Sequence, residues 1–218
     1  MNSSILDKSE LYNTVFLLSL FIIFYNIIGG IFAINSGSQE LNRSLFEWGM
    51  ISFVQIISAL GIANMICKMS SNDSVKVNDL EKKALKITGM GFYIIAGVLI
   101  IQSTYNLIYF KVPQISFLNI LIPSISIIVM WGLIQWKTVL GNKLKSEAII
   151  ADVGYTYICL YISFVFLLSN VLYYYFSIRF IDSFGAYGIA FLAFKEGKSV
   201  SRKVNQSNHH SNNQAEKK

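Results

Sequence analysis

Six apolar runs, at about 11–34, 45–67, 84–110, 115–137, 147–173 and 180–196, take up most of this chain. Crossing a ~30 Å hydrocarbon layer takes about 20 residues of helix, and five of the six runs reach that length. Lipid offers a peptide group no hydrogen-bond partner, so a crossing segment must satisfy its own N–H and C=O groups, as a helix does. Barrel strands read as ~10-residue segments with alternate residues apolar, whereas these runs are continuous. The expected fold is an all-α membrane protein: a six-transmembrane-helix bundle forming one domain over 1–198. From 199 the chain turns polar, "SRKVNQSNHHSNNQAEKK". Such a stretch buries too little apolar surface to order itself, so 199–218 is expected to be a disordered cytoplasmic tail. His209 and His210 have no third ligand nearby and are assigned to that tail.

Charge orients the bundle. Only 14% of the 218 residues are charged and 54% are hydrophobic, against roughly 25% charged in a soluble domain; the mean hydropathy is +0.51. The net charge of +6 does not indicate nucleic acid, because the basic residues cluster between the apolar runs. With the N-terminus in the cytoplasm, only Arg43, Lys111 and Arg179 of the 18 Lys and Arg fall in outer segments. The rest, Lys137 among them, fall at inner ends, a strong positive-inside bias. Both termini are therefore expected in the cytoplasm. The first run is too long for the apolar core of a secretory signal. Cys67 and Cys159 both lie in apolar runs and suggest no disulfide framework. The expected location is a multi-pass integral membrane protein, of either a plasma or an organelle membrane.

Charged groups inside the runs are few: Glu47, Asp152, Asp182 and, near an edge, Lys86. A carboxylate at bilayer depth costs roughly 2.5–3.5 kcal/mol on insertion scales, and such groups usually face a cavity or a partner. At about 100° per residue, Asp152, Thr156, Cys159, Ser163 and Asn170 make one polar stripe on the fifth span, bordered by Tyr155. On the second, Glu47, Ser58 and Gly61 share a face with Ile51, and Gln55 lies at its edge. Small and polar residues also serve as plain packing surfaces between membrane helices, and Ser58, Ser163 and Asn170 fit that reading. Asp152 does not, since a serine would pack as well without the charge. Asp182 reads as a helix-start carboxylate. Ser183, Ala186, Ala190 and Ala193 form a close-packing ridge on the sixth span.

Several stretches together resemble the transmembrane domain of the cation diffusion facilitator (cation efflux) family. "LGNKLKSEAIIADVGYTYICLYISF" looks like the start of that family's fifth helix. "SGSQEL", Ser36 to Leu41, looks like the link between helices one and two. "EKKALKITGM", from Glu81, looks like the start of helix three, and "IDSFGAYGIAFLAFKEG", Ile181 to Gly197, like helix six. The resemblance implies a six-helix homodimeric transporter of divalent metal cations, zinc-like, exporting in exchange for protons through a site between helices two and five. The family's four ligand positions fall on Glu47, Ile51, Tyr155 and Cys159. Isoleucine cannot ligate, and zinc favours N, S or carboxylate ligands. Short members lacking the C-terminal cytoplasmic domain are the nearer match, some with Thr-x-x-Cys in helix five, which Thr156 and Cys159 fit. The expected metal-site residues are thus Glu47, Asp152, Thr156 and Cys159, with Glu47 facing Asp152 across a wet gap. The partners implied are a divalent metal ion, protons, the lipid bilayer and a second copy of the chain. No resident cofactor and no enzyme activity are expected: both histidines lie in the tail, so neither a Ser–His pair nor an H-E-x-x-H motif occurs. The competing expectation is a degenerate paralogue that keeps the fold and serves as a membrane scaffold or regulator by dimerising, a reading that Ile51 and Tyr155 favour.

Overall fold

The computed structural model describes the backbone at 2–39, 43–71, 77–109, 117–176 and 180–215, and the side chains at 10–36, 48–69, 77–109, 117–176 and 180–206. The described backbone is helical throughout apart from short turns. It forms α1 (Asn2–Gln39), α2 (Arg43–Ser71), α3 (Val77–Ile108), α4 (Leu118–Leu144), α5 (Glu147–Phe176) and α6 (Ile181–Ala215). Five of these, α1 to α5, are long and apolar enough to cross a membrane.

Polarity is distributed as lipid requires. Large apolar side chains point outward on several helices, among them Leu17, Phe24, Ile101, Ile128 and Trp131. The interior holds the polar ones: Asn26, Gln55, Ser58, Thr88, Lys137 and Asp152 are all buried. In water that arrangement would leave the apolar surface uncovered, while in hydrocarbon it puts each polar group against a partner inside the bundle.

α1 packs chiefly on α2, α3 on α6, and α4 on α5. α5 is the hub, also touching α2, α3 and α6. Two helix crossings depend on glycine. A Cβ on Gly49 of α2 would stand 2.9 Å from the Gly30 carbonyl of α1, so these backbones meet only because neither carries a side chain. A Cβ on Gly185 of α6 would fall on Val165 Cγ1 of α5. The α6 ridge packs inward as its spacing implies, with Ser183, Ala190 and Ala193 buried.

The α4–α5 turn is closed locally and locked by α3. Lys145 adopts a left-handed backbone (φ 51°), and the amides of Lys145 and Ser146 donate to Asn142 O and Gly141 O, at 3.2 and 3.0 Å. This ends α4 as a left-handed cap does. Ser146 then caps α5, accepting from the Ile149 amide at 3.4 Å, as serine at a helix start commonly does. Glu81 of α3 accepts from Ser146 Oγ at 2.6 Å and from the Ala148 amide at 3.4 Å.

Of the boundaries that differ from the sequence expectation, three bear on the site or on the tail. α3 starts at Val77 rather than near 84, so Glu81 belongs to the helix that reaches the α5 cap. α4 runs on past 137 to Leu144, which places Lys137 well inside a helix. α6 continues beyond 196, so the expectation of disorder from 199 is corrected over the described residues. Val200 is buried against Gly89, Lys203 Nζ lies 3.5 Å from Glu147, and neither Gly nor Pro follows Gly197 to stop the helix.

Candidate functional site: a buried lysine–aspartate pair

Asp152 does not face an open gap. Its Oδ2 lies 2.7 Å from Lys137 Nζ of α4, with both side chains almost wholly buried. Its Oδ1 accepts from Ser58 Oγ of α2 at 2.7 Å. The Ser58 proton is thereby committed, so the 3.0 Å contact between Ser58 and Thr88 of α3 must have Thr88 as donor. Lys137 Nζ also donates to Thr156 Oγ1 at 2.8 Å, and Thr156 donates onward to the Asp152 carbonyl at 2.9 Å. Four helices thus converge on one ion pair and three hydroxyls. The network is what makes a buried charge pair tolerable, because each lone pair or proton left over would carry its own desolvation cost.

Lys137 is the residue whose burial and partner sequence reasoning missed. It was expected at the inner membrane surface, at the border of the 115–137 run. The structure puts it inside the bundle because α4 does not end there. A signal was present in Val139 and Leu140, which carry the apolar pattern on past the lysine.

The other expected site residues divide. Asp152 and Thr156 belong to the pair. Cys159, two turns from Asp152, is buried and faces the next cavity along the bundle. That cavity is about 10 Å³ and is also lined by Trp48, Ile51, Gln55, Met130 and Ser163, which is room for about one water. Around it Trp48 Nε1 donates to Ser163 Oγ at 3.3 Å, Ser163 donates to Ser126 at 3.1 Å, and Gln55 Nε2 lies 3.5 Å from Met130 Sδ. The polar faces of α2 and α5 therefore do meet, through Ser58–Asp152 and Trp48–Ser163. Glu47 belongs to α2, but its side chain lies outside the described residues. Among the described residues, no three His, Cys, Asp or Glu side chains come together to share a metal ion.

Further cavities lie on either side. A larger one of about 40 Å³ shares Trp48, Ile51 and Ile162 with the Cys159 cavity and is lined by Gln102, Asn106 and Asp182. Toward the other end a space of about 10 Å³ lies against Lys137 and Asp152 themselves, beside Ser19 of α1. It shares Ile149 with a cavity of about 30 Å³ lined by Tyr12, Glu81 and Ser146. Small spaces thus succeed one another along the bundle, and the ion pair stands between two of them. Asp152 sits about 8 Å along the axis from the start of α5. A ~30 Å hydrocarbon layer centred on that helix therefore places the pair near one boundary of the layer rather than at mid-depth.

Tyr155, fully buried, fills the α3–α5 interface beside Phe92, with ring centroids 5.3 Å apart, and against Gly91. Its hydroxyl is the buried side-chain polar atom that lacks a hydrogen-bond partner among the described residues. It packs as an aromatic plug on the α3 side of α5. No protein-family model matches this chain, and no curated protein matches it in sequence.

Proposed function

We propose that this chain is a multi-pass membrane transporter of divalent cations, working as a homodimer in exchange for protons, with the Asp152 carboxylate as the group that takes the cation. The observation that carries the reading is the Lys137–Asp152 pair, buried at the meeting of α2, α3, α4 and α5 with small cavities to either side. Ionisable groups buried among membrane-spanning helices and facing a cavity usually mark a path for ions or protons, and this pair stands toward one end of such a path. The resemblance to the cation efflux family supports the same class of cargo, and the positive-inside charge pattern supports cytoplasmic termini. Apart from the Lys137 ammonium, which offers no lone pair, the side-chain ligand atoms around Asp152 are oxygen: its own carboxylate and the hydroxyls of Ser58, Thr88 and Thr156. Such a set suits an oxygen-liganded cation. The zinc-like expectation leans instead on the Cys159 thiol, in the neighbouring cavity.

The test is cation uptake into proteoliposomes under an imposed pH gradient. Wild type is expected to transport and Asp152→Asn to be inactive while remaining folded. Equal uptake by the two proteins would remove Asp152 from the path.

A second reading, a membrane scaffold without transport, is favoured by how completely Asp152 is satisfied: one oxygen holds an ammonium and the other a hydroxyl. The scaffold predicts that purified protein retains no metal by elemental analysis and that the wild type gives no uptake.

A further inference from the structure

We propose that the cavity of about 40 Å³ between α3 and α6 binds a monovalent inorganic cation, held by the Asp182 carboxylate with the carboxamides of Gln102 and Asn106. The site is separate from the Lys137–Asp152 pair, and the inference does not depend on the transport reading.

Two helices supply the polar wall. Gln102, Ser103 and Asn106 fall within about one turn of each other on α3 and share a face, close to the end of that helix at Ile108. Asp182 lies in the first turn of α6, the helix that α3 chiefly packs on. α2 and α5 close the cavity with apolar side chains, Trp48 and Phe166 among them. Asn106 is about 38 Å along α3 from Glu81 at the Ser146 cap, and Phe166 is about 21 Å along α5 from Asp152. The cavity therefore lies toward the end of the bundle away from the ion pair.

Its polar groups are unanswered, unlike those around Asp152. Among the described residues, the side chains of Asp182, Gln102 and Asn106 have no hydrogen-bond or ion-pair partner. All three are half-buried, so an ion from the aqueous side can reach them. No described amide of α6 donates to Asp182, so the helix-start role expected from sequence leaves its oxygens unused. Ser103 is buried and donates to the Leu99 carbonyl at 2.7 Å, which leaves its lone pairs able to accept. Asp182 carries the one charge among the described residues lining the cavity.

Charge and volume select the ligand. The available ligand atoms are oxygens, which suit hard cations rather than thiophilic ones. One carboxylate with neutral partners balances a single positive charge. A divalent ion would leave an unbalanced charge in a half-buried wall, where desolvation penalises it. One water needs about 10–15 Å³ of such space, so about 40 Å³ holds an ion together with about two waters that complete its shell.

The experiment uses purified full-length protein in a neutral detergent, with N-methylglucamine as the background cation. Broadening of the ²³Na resonance reads bound Na⁺, and K⁺ and Ca²⁺ are added separately as competitors. Wild type is expected to give saturable broadening that K⁺ reverses. Asp182→Asn keeps the shape and removes the charge, and should bind Na⁺ at least about tenfold more weakly. Gln102→Glu adds a second carboxylate. Because calcium affinity follows the charge of the ligand set, Ca²⁺ should displace Na⁺ from this variant at a concentration at least about tenfold lower than from wild type. A purely structural role for Gln102 would not produce that change.

Absence of saturable Na⁺ broadening in wild type overturns the inference, and so does undiminished affinity in Asp182→Asn. Affinity lost in Asp152→Asn but kept in Asp182→Asn overturns it as well, because the ion would then sit at the lysine–aspartate pair. Where Asp182→Asn fails to fold, Gln102→Glu decides, and an unchanged Ca²⁺ competition overturns the inference.

Discussion

Cutting one half of the Lys137–Asp152 pair should destabilise the bundle more than removing both. At 2.7 Å two unit charges attract by about 6 kcal/mol at an effective dielectric of ~20. Withdrawing both from water costs several kcal/mol per ion, so attraction and desolvation roughly cancel. Asp152→Leu removes the attraction but leaves the Lys137 ammonium buried, and also strips Ser58 of its acceptor. Lys137→Met leaves the carboxylate with hydroxyl support alone. Each single variant should lose about 3–5 kcal/mol, whereas the double variant should lie near wild type or above it. Equilibrium unfolding in mixed dodecyl maltoside and SDS micelles gives the three differences. Fluorescence of Trp48, buried beside Ser163, supplies the signal, read with Trp131 and Trp136 replaced by Phe in every protein. The reasoning fails if the two single effects add to the double within about 0.5 kcal/mol, as independent sites do.

Three smaller predictions come from the packing. Tyr155→Phe deletes a buried hydroxyl without a partner among the described residues and should raise stability by about 1 kcal/mol; a loss of that size in the same unfolding assay would mean the hydroxyl is bonded. Gly185→Ala sets a methyl on Val165 and should cost about 1–3 kcal/mol, most of it recovered when Val165→Ala is added. Glu81→Ala removes the acceptor shared by Ser146 and the first turn of α5 and should cost about 1 kcal/mol. Glu81→Gln, which keeps one acceptor oxygen, should cost less, and equal losses would argue that charge rather than the hydrogen bonds matters there.

Helices, their number and much of the buried face could be read without coordinates. Hydropathy acts within a segment, so continuous apolar runs already require helices in lipid. Helical periodicity then gathers Asp152, Thr156, Cys159, Ser163 and Asn170 on one side, and all five are buried. The ridge on α6 was legible for the same reason. The ends were harder. Lys137 reads as a span border because a charge normally marks one, and 199–206 reads as tail because its composition is polar. Neither rule senses that a neighbouring helix covers the residue.

What hydropathy and period determined was which side chains had to leave the lipid. What they left open was whom those side chains would meet. Asp152 could have faced another carboxylate, water or a cation, and each choice is consistent with the same stripe. The partner depends on the register between α4 and α5, set by the turn at Lys145 and Ser146, and on how far α2 and α3 approach. Those are properties of helices packed together, so only the tertiary structure decided that the charge on α5 is answered by a lysine from α4.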